Sequence, residues 1–182
     1  AHGYVALALG DPTAKYAGRL TLNPLKHLDP IGSVILPIFL ILTLGRGFVF
    51  AKPVPINPYN FRDRKWGTLK VAIAGPTTNL LIALIFGLVI RFVNLPHSIL
   101  IFFSIVTVYN FAWWIFNLIP FPPFDGSHIL FTFLGDRFSD IKIFLQQYSL
   151  FVLIFLFFLG LNWIFQAAIF LYAFITNQPF IL

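Results

Sequence analysis

The stretch Asn117-Leu-Ile-Pro-Phe-Pro-Pro-Phe-Asp125-Gly126 ends a long apolar run. It places one carboxylate in a turn that several prolines stiffen, because proline fixes φ and removes backbone donors. A carboxylate at the edge of a membrane segment is costly and usually functional. Asp125 is therefore a candidate metal ligand. The alternative is that it caps a helix beginning near Ser127.

The composition is that of an integral membrane protein. Hydrophobic residues make up 59% of the 182 residues and charged residues 10%, whereas a soluble domain carries about 25% charged residues. The length predicts a single integral membrane domain over residues 1–182. The chain has no cysteine, which excludes disulfides and thiolate metal sites. The net charge of +6 comes from basic residues that flank apolar segments, so it indicates membrane topology and not nucleic acid binding.

The apolar segments predict an all-α polytopic membrane protein built as a helical bundle. Residues 69–93 and 98–118 are predicted spanning helices, since residues 71–90 carry no charge. Residues 143–176 form a C-terminal hydrophobic segment in which we expect a further spanning helix. Residues 33–44 reach only about 18 Å as a helix, which predicts a short or re-entrant helix.

Two short segments, near residues 18–24 and 51–58, have similar sequences that each contain an Asn-Pro dipeptide. Their alternating pattern predicts two small edge strands that pair with each other. Pro53 and Pro55 suit an edge strand, because such a strand leaves some N–H groups unpaired.

The basic residues also predict the orientation of the chain. If residues 33–44 are re-entrant, the basic loops over 10–30 and 46–70 lie on one side, which is then the cytoplasmic side. Asp125 falls at the cytoplasmic edge of the membrane, at a depth similar to that of His2. If residues 33–50 instead cross the membrane fully, the two basic loops lie on opposite sides and the predicted orientation has less support.

His2 belongs to the end of a predicted helix over residues 1–9. A single histidine on an apolar helix is more often a packed core residue than a ligand, yet neutral imidazole is the commonest metal ligand. A zinc helix carries two histidines at i and i+4 with a glutamate after the first. If His2 is the second histidine, the first histidine and the glutamate precede this chain, which contains no glutamate. Because the chain also has no methionine, we expect it to be an N-terminally truncated piece of a longer protein.

Several other polar residues have two interpretations each. Asn79 follows a Gly-Pro-Thr-Thr stretch inside a spanning helix. It either joins helices or donates hydrogen bonds to a substrate peptide or an oxyanion. His128 follows Asp125 by three residues and could share a metal with it, although an interfacial role fits it better. We assign no role to His27 or His97.

Six motifs occur in order over residues 1 to about 135. Together they resemble the site-2 protease family of intramembrane zinc metalloproteases, in its short prokaryotic branch without a PDZ domain. The motifs are Ala1-His2-Gly-Tyr-Val-Ala with Leu9-Gly-Asp-Pro, Gly18-Arg-Leu-Thr-Leu-Asn-Pro, His27-Leu-Asp-Pro-Ile-Gly, Ala51-Lys-Pro-Val-Pro-Ile-Asn-Pro, Ala74-Gly-Pro-Thr-Thr-Asn79 and Asn117-Leu-Ile-Pro-Phe-Pro-Pro-Phe-Asp125-Gly126.

The resemblance implies a zinc metalloendopeptidase that hydrolyses peptide bonds of transmembrane proteins or peptides, as in regulated intramembrane proteolysis. It implies that His2 is the second histidine of H-E-x-x-H and that Asp125 is the third Zn²⁺ ligand. Asn79 and Asn117 fall where the family has asparagines that line the site. The resemblance also implies a multi-pass protein in the lipid bilayer of a prokaryotic plasma membrane, with its site toward the cytoplasm.

The segments near 18–24 and 51–58 resemble the family's edge strands, which could hold an unwound substrate by strand addition. The chain departs from the family pattern because it lacks the first histidine and the glutamate. No catalytic base is therefore expected within it, and we expect the 182 residues alone to be inactive.

Three other functions are compatible with parts of the pattern. A catalytically silent relative would be a membrane scaffold that binds transmembrane helices, and the residues before Ala1 would distinguish it from an enzyme. A transporter or channel with a broken helix at residues 33–44 predicts paired inverted repeats, and we find none in the sequence. A membrane zinc hydrolase acting on lipid amides explains the Asn-Pro segments less well.

Overall fold

The computed structural model describes residues 1–21, 23–44, 54–134, 138–156 and 161–180. Within these ranges the chain forms nine α-helices and no β-strand, which confirms the predicted all-α fold. The helices are α1 (His2–Ala8), α2 (Thr13–Tyr16), α3 (Leu36–Leu44), α4 (Arg64–Phe92), α5 (His97–Asn117), α6 (Asp125–Leu134), α7 (Ser139–Gln147), α8 (Ser149–Phe155) and α9 (Leu161–Thr176). The chain divides into two compact units, Ala1–Gly67 and Thr68–Leu182.

The first unit consists of short helices joined by turns. A π-helical turn, Pro30–Ile35, leads directly into α3. The nine residues of α3 reach only about 14 Å, too little to cross a hydrocarbon core of about 30 Å. Residues 45–50 lie outside the described residues, so the re-entrant path of this segment stays a prediction.

The two predicted edge strands, near residues 18–24 and 51–58, do not form in the described part of these segments. Their backbone amides are engaged elsewhere. Arg19 N–H donates to a carbonyl five residues earlier, and Asn57 N–H donates to the Asp11 carboxylate at 2.8 Å. The strand prediction is therefore wrong for the described residues of both segments. Positions 22 and 51–53 of these segments lie outside the described residues.

The two longest helices, α4 and α5, are each long and apolar enough to cross a membrane. They cover the predicted spans 69–93 and 98–118 with small differences at the ends. Large apolar side chains such as Ile85 and Phe102 are about 60% exposed along them. Exposed apolar side chains of this size suit a lipid environment, because lipid does not oppose their exposure.

The core of the second unit lies where α4, α5 and α9 meet. Ala83 of α4, Phe111 of α5 and Ala168 of α9 are buried in one apolar cluster. At its edge, the Ser104 and Tyr172 hydroxyls form a buried hydrogen bond of 2.8 Å between α5 and α9. The core therefore fixes α5, at whose C-terminal end the Asp125 turn begins.

The hydrophobic segment 143–176 is divided among α7, α8 and α9 in the described residues. The longest of these, α9, has 16 residues and reaches about 24 Å. Residues 157–160 lie outside the described residues, so the spanning helix expected in this segment stays a prediction.

Candidate functional site

Asp125 lies at the start of α6, directly after the proline-rich turn that leads into this helix. This turn contains a cis peptide bond between Pro122 and Pro123. The Phe124 ring packs edge-on against Phe116 of α5 with a centroid distance of 4.4 Å. Asp125 is partly buried and lies in the first helical turn, where the helix dipole favours a negative charge.

Gly126 makes the closest backbone approach of this turn. A Cβ atom at this position would lie 2.4 Å from the carbonyl oxygens of both Leu118 and Ile119. Only glycine fits against these two backbone atoms, which lie at the end of α5. The contact joins α5 to the first turn of α6, and so fixes the backbone of Asp125 one residue earlier.

The sequence predicts that the helix after this turn begins near Ser127. Instead, α6 includes Asp125 as its first residue. The N–H and hydroxyl groups of Ser127 both donate to the Phe124 carbonyl, at 3.0 and 2.7 Å. Ser127 therefore closes the turn, and Asp125 belongs to the helix that follows.

His128 lies on the same face of α6 as Asp125, because the two residues are three apart in one helix. Its side chain is exposed. This exposure agrees with the interfacial role and leaves the carboxylate of Asp125 as the more enclosed candidate ligand.

His2 is partly buried in the first turn of α1. Its neighbour Gly3 is buried, and a Cβ there would lie 2.7 Å from the Leu20 side chain and 3.2 Å from that of Val54. The helix is thus packed closely against residues of the two segments that were predicted to be strands. His2 belongs to the first unit and Asp125 to the second.

Asp11 is a buried carboxylate that sequence reasoning missed. Its side chain is 0% exposed and accepts hydrogen bonds from Asn57 N–H and the Asn60 amide, each at 2.8 Å. The N–H and the hydroxyl of Thr13 also donate to it. Burial by itself raises the pKa of the Asp11 carboxyl, but the hydrogen bonds from Thr13, Asn57 and Asn60 outweigh burial and lower the pKa below its ordinary value.

Asn79 and Asn117 both lie in the second unit. Asn79 is partly buried on α4, three residues after Pro76, and Asn117 is partly buried as the last residue of α5. Asn117 and Asp125 stand at the two ends of the same proline-rich turn. The role of both residues at the site stays a prediction.

The donor chemistry of the candidate ligands fits zinc in part. Zinc binds histidine nitrogen and carboxylate oxygen, so His2 and Asp125 supply two suitable donors. Among the residues that the structure describes, no three His, Cys, Asp or Glu side chains are grouped so as to hold a metal ion. The fixed backbone at Gly126 gives Asp125 the rigid support that a metal ligand needs.

These features define a helical membrane protein with a supported, partly buried carboxylate at the end of a long apolar helix. Residues 93–160 match the sequence model of peptidase family M50, which covers α5, the Asp125 turn and α6. The chain is 42% identical over 139 residues to "Putative zinc metalloprotease YwhC" of Bacillus subtilis. The aligned residues cover 71% of this chain and 60% of that protein.

Two further relatives carry similar names. "Putative zinc metalloprotease Rip2" of Mycolicibacterium smegmatis is 32% identical over 133 residues, which covers 69% of this chain and 48% of the relative. "Putative zinc metalloprotease MJ0611" of Methanocaldococcus jannaschii is 33% identical over 98 residues, covering 53% of this chain and 50% of the relative. No solved structure matches the chain.

The matches confirm the resemblance found in the motifs: the chain belongs to peptidase family M50, the site-2 protease family. It spans between about half and 60% of the length of these relatives.

Proposed function

We propose that this chain is part of an intramembrane zinc metalloprotease that hydrolyses peptide bonds of transmembrane proteins. One observation carries the proposal. In a chain of the M50 family, Asp125 is the first residue of α6, and a close contact with the backbone that follows α5 admits only glycine at the next position, 126. A metal ligand needs such support, whereas a solvated surface carboxylate does not.

In this proposal His2 and Asp125 are zinc ligands, and Asn79 and Asn117 line the site. The remaining histidine and the glutamate base come from residues outside this chain. When bound, zinc supplies Lewis-acid activation of the water that hydrolyses the peptide bond. The imidazole of His2 must stay neutral to bind, and the carboxylate of Asp125 must stay ionised.

The proposed substrate is a transmembrane segment, and the proposed setting is a prokaryotic plasma membrane with the site toward the cytoplasm. The two long apolar helices support a membrane setting. The orientation is supported by the basic residues that flank α3 and precede the apolar part of α4. A transmembrane substrate must unwind locally before cleavage, because its backbone groups are paired within its own helix.

The first test is the zinc content of the full-length protein purified in detergent, measured for the wild type, Asp125→Ala and His128→Ala. We expect about one zinc per chain in the wild type, since the family's catalytic sites hold one metal with three protein ligands. We expect the zinc to be lost in Asp125→Ala. His128→Ala is the matched control, because it removes a metal-type side chain from the same face of α6. Cleavage of a transmembrane substrate is measured on the same samples.

Each other outcome has a defined meaning. Zinc that persists in Asp125→Ala and is lost in His128→Ala would make His128 the ligand. A wild-type protein without zinc and without cleavage would favour the catalytically silent scaffold that binds transmembrane helices.

A further inference from the structure

We propose that Asp11 is a positioning residue that fixes α1, and with it His2, by locking the C-terminal end of α1 to the turn at Asn57–Asn60. The locking follows from the contacts of Asp11 alone. Only its consequence for zinc rests on the proposed function.

The Asp11 carboxylate joins two parts of the chain that are far apart in sequence. One oxygen, Oδ2, accepts the Asn57 N–H at 2.8 Å. The other, Oδ1, accepts the Asn60 side-chain amide at 2.8 Å and the N–H and hydroxyl of Thr13. Because the side chain is fully buried, these donors replace water and tie the carboxylate to all three residues at once.

The backbone around Asp11 strengthens the same junction. Asp11 N–H donates to the Ala6 carbonyl at 2.9 Å, which ends α1, and Arg62 N–H donates to the Leu9 carbonyl at 3.2 Å. Gly10 adopts a φ of +108°, and a Cβ there would lie 3.1 Å from the Asn60 carbonyl oxygen. The end of α1 and the turn that follows Asn57 therefore touch through both backbone and side chains.

The junction reaches His2 through the segment that precedes Asn57. Val54, three residues before Asn57, lies beside Gly3 near the other end of α1, where a Cβ added to Gly3 would be 3.2 Å from the Val54 side chain. One short segment thus holds α1 beside His2 and again beyond its C-terminal end. If Asp11 releases Asn57, this segment loses its anchor and the packing next to His2 loosens.

The test replaces Asp11 by asparagine in the full-length protein. The shape is kept, but one acceptor oxygen becomes an NH₂ group that faces the N–H donors. We expect amide hydrogen exchange to become faster in peptides covering residues 2–10 and 54–60, with no change in α5. We also expect the zinc dissociation constant, measured by competition with a chelator, to rise about 10- to 100-fold, which is typical when support behind a metal ligand is lost.

Two further variants sharpen the test. Asp11→Asn combined with Asn60→Asp restores an amide-to-carboxylate bond between the two positions, and should recover part of both effects. Asp63→Asn is the matched control, because Asp63 is an exposed carboxylate in the same unit whose Oδ1 accepts the Trp66 N–H at 3.1 Å. It should leave the exchange of residues 2–10 unchanged.

Several results would overturn the inference. Unchanged exchange in Asp11→Asn would mean that no lock exists, and faster exchange over all helices would mean that Asp11 only stabilises the fold. Faster exchange at residues 2–10 and 54–60 with an unchanged zinc dissociation constant would mean that the Asp11 contacts do not fix His2 as a zinc ligand. If the wild type binds no zinc, the proposed function fails on that ground, and the exchange data alone decide whether Asp11 locks α1.

Discussion

Two carbonyl oxygens leave no room for a methyl group at Gly126. The oxygens belong to Leu118 and Ile119, and they would lie 2.4 Å from a Cβ atom. Real Cβ atoms do not approach other atoms this closely, so an added methyl group must displace backbone. The residue displaced with it is Asp125, its immediate neighbour.

We therefore expect Gly126→Ala to lower the free energy of unfolding by about 1–3 kcal/mol, as overpacking does, and to weaken zinc binding through the shift of Asp125. Thermal unfolding in detergent and zinc titration measure the two effects. Gly87→Ala is the matched control, because its Cβ would meet the γ2 methyl group of Ile175 at 2.9 Å and so measures the cost of a tight contact with a side chain instead of backbone. A Gly126→Ala protein as stable as Gly87→Ala, with wild-type zinc affinity, would contradict this prediction.

The sequence is more informative about Asp125 than about Asp11. Asp125 stands out because the prolines and the glycine around it are local signals of a fixed turn. Asp11 lies in a Gly-Asp-Pro turn that resembles many helix ends. Its decisive partners, Asn57 and Asn60, are 46 and 49 residues away, and no local pattern pairs residues at such separations.

At the scale of elements, α5 and α9 are joined by one buried polar contact. Ser104 and Tyr172 are 4% and 2% exposed, and their hydroxyls lie 2.8 Å apart. Tyr172→Phe leaves the Ser104 hydroxyl without this partner. We expect the free energy of unfolding to fall by about 1 kcal/mol. This is more than the average of about 0.6 kcal/mol for such bonds in membranes, and it is the lower end of the range of about 1–3 kcal/mol that a buried unpaired group costs.

A double-mutant cycle measures this contact. Unfolding free energies are compared for the wild type, Tyr172→Phe, Ser104→Ala and the double variant. The double variant should be little less stable than either single variant, because both partners are then removed together. Strictly additive losses would mean that the two hydroxyls do not stabilise each other.

The helices could be predicted where the local sequence signal is strong. The strand predictions were wrong where a group distant in sequence takes a backbone hydrogen bond that a strand would use. An uncharged stretch of twenty residues in α4 has few alternatives in a membrane protein. The Asn-Pro segments, in contrast, carry only weak alternation, and the Asp11 carboxylate takes the N–H of Asn57 that a ladder would have used. The side chain at position 11 thus takes up a backbone donor of a segment 46 residues away.

At the scale of the whole molecule, the charge pattern predicts an orientation that can be tested directly. The loops rich in basic residues are expected in the cytoplasm, and the short connection between α4 and α5 is expected outside. Lys15 and Asn94 are exposed residues of these two regions. The chain itself has no cysteine, so one introduced at either position is a defined label site within it.

We expect a membrane-impermeant thiol reagent added to intact cells to label Asn94→Cys and to spare Lys15→Cys, in a full-length protein freed of any other cysteine. Breaking the cells should make Lys15→Cys reactive, which is the control for accessibility. The reverse pattern would invert the protein and move Asp125, at the far end of α5 from Asn94, to the outer face. Labelling of both positions in intact cells would place the two loops on the same side. In that case α4 does not cross the membrane, despite its length and apolar composition, and the positive charges flanking it do not report the topology.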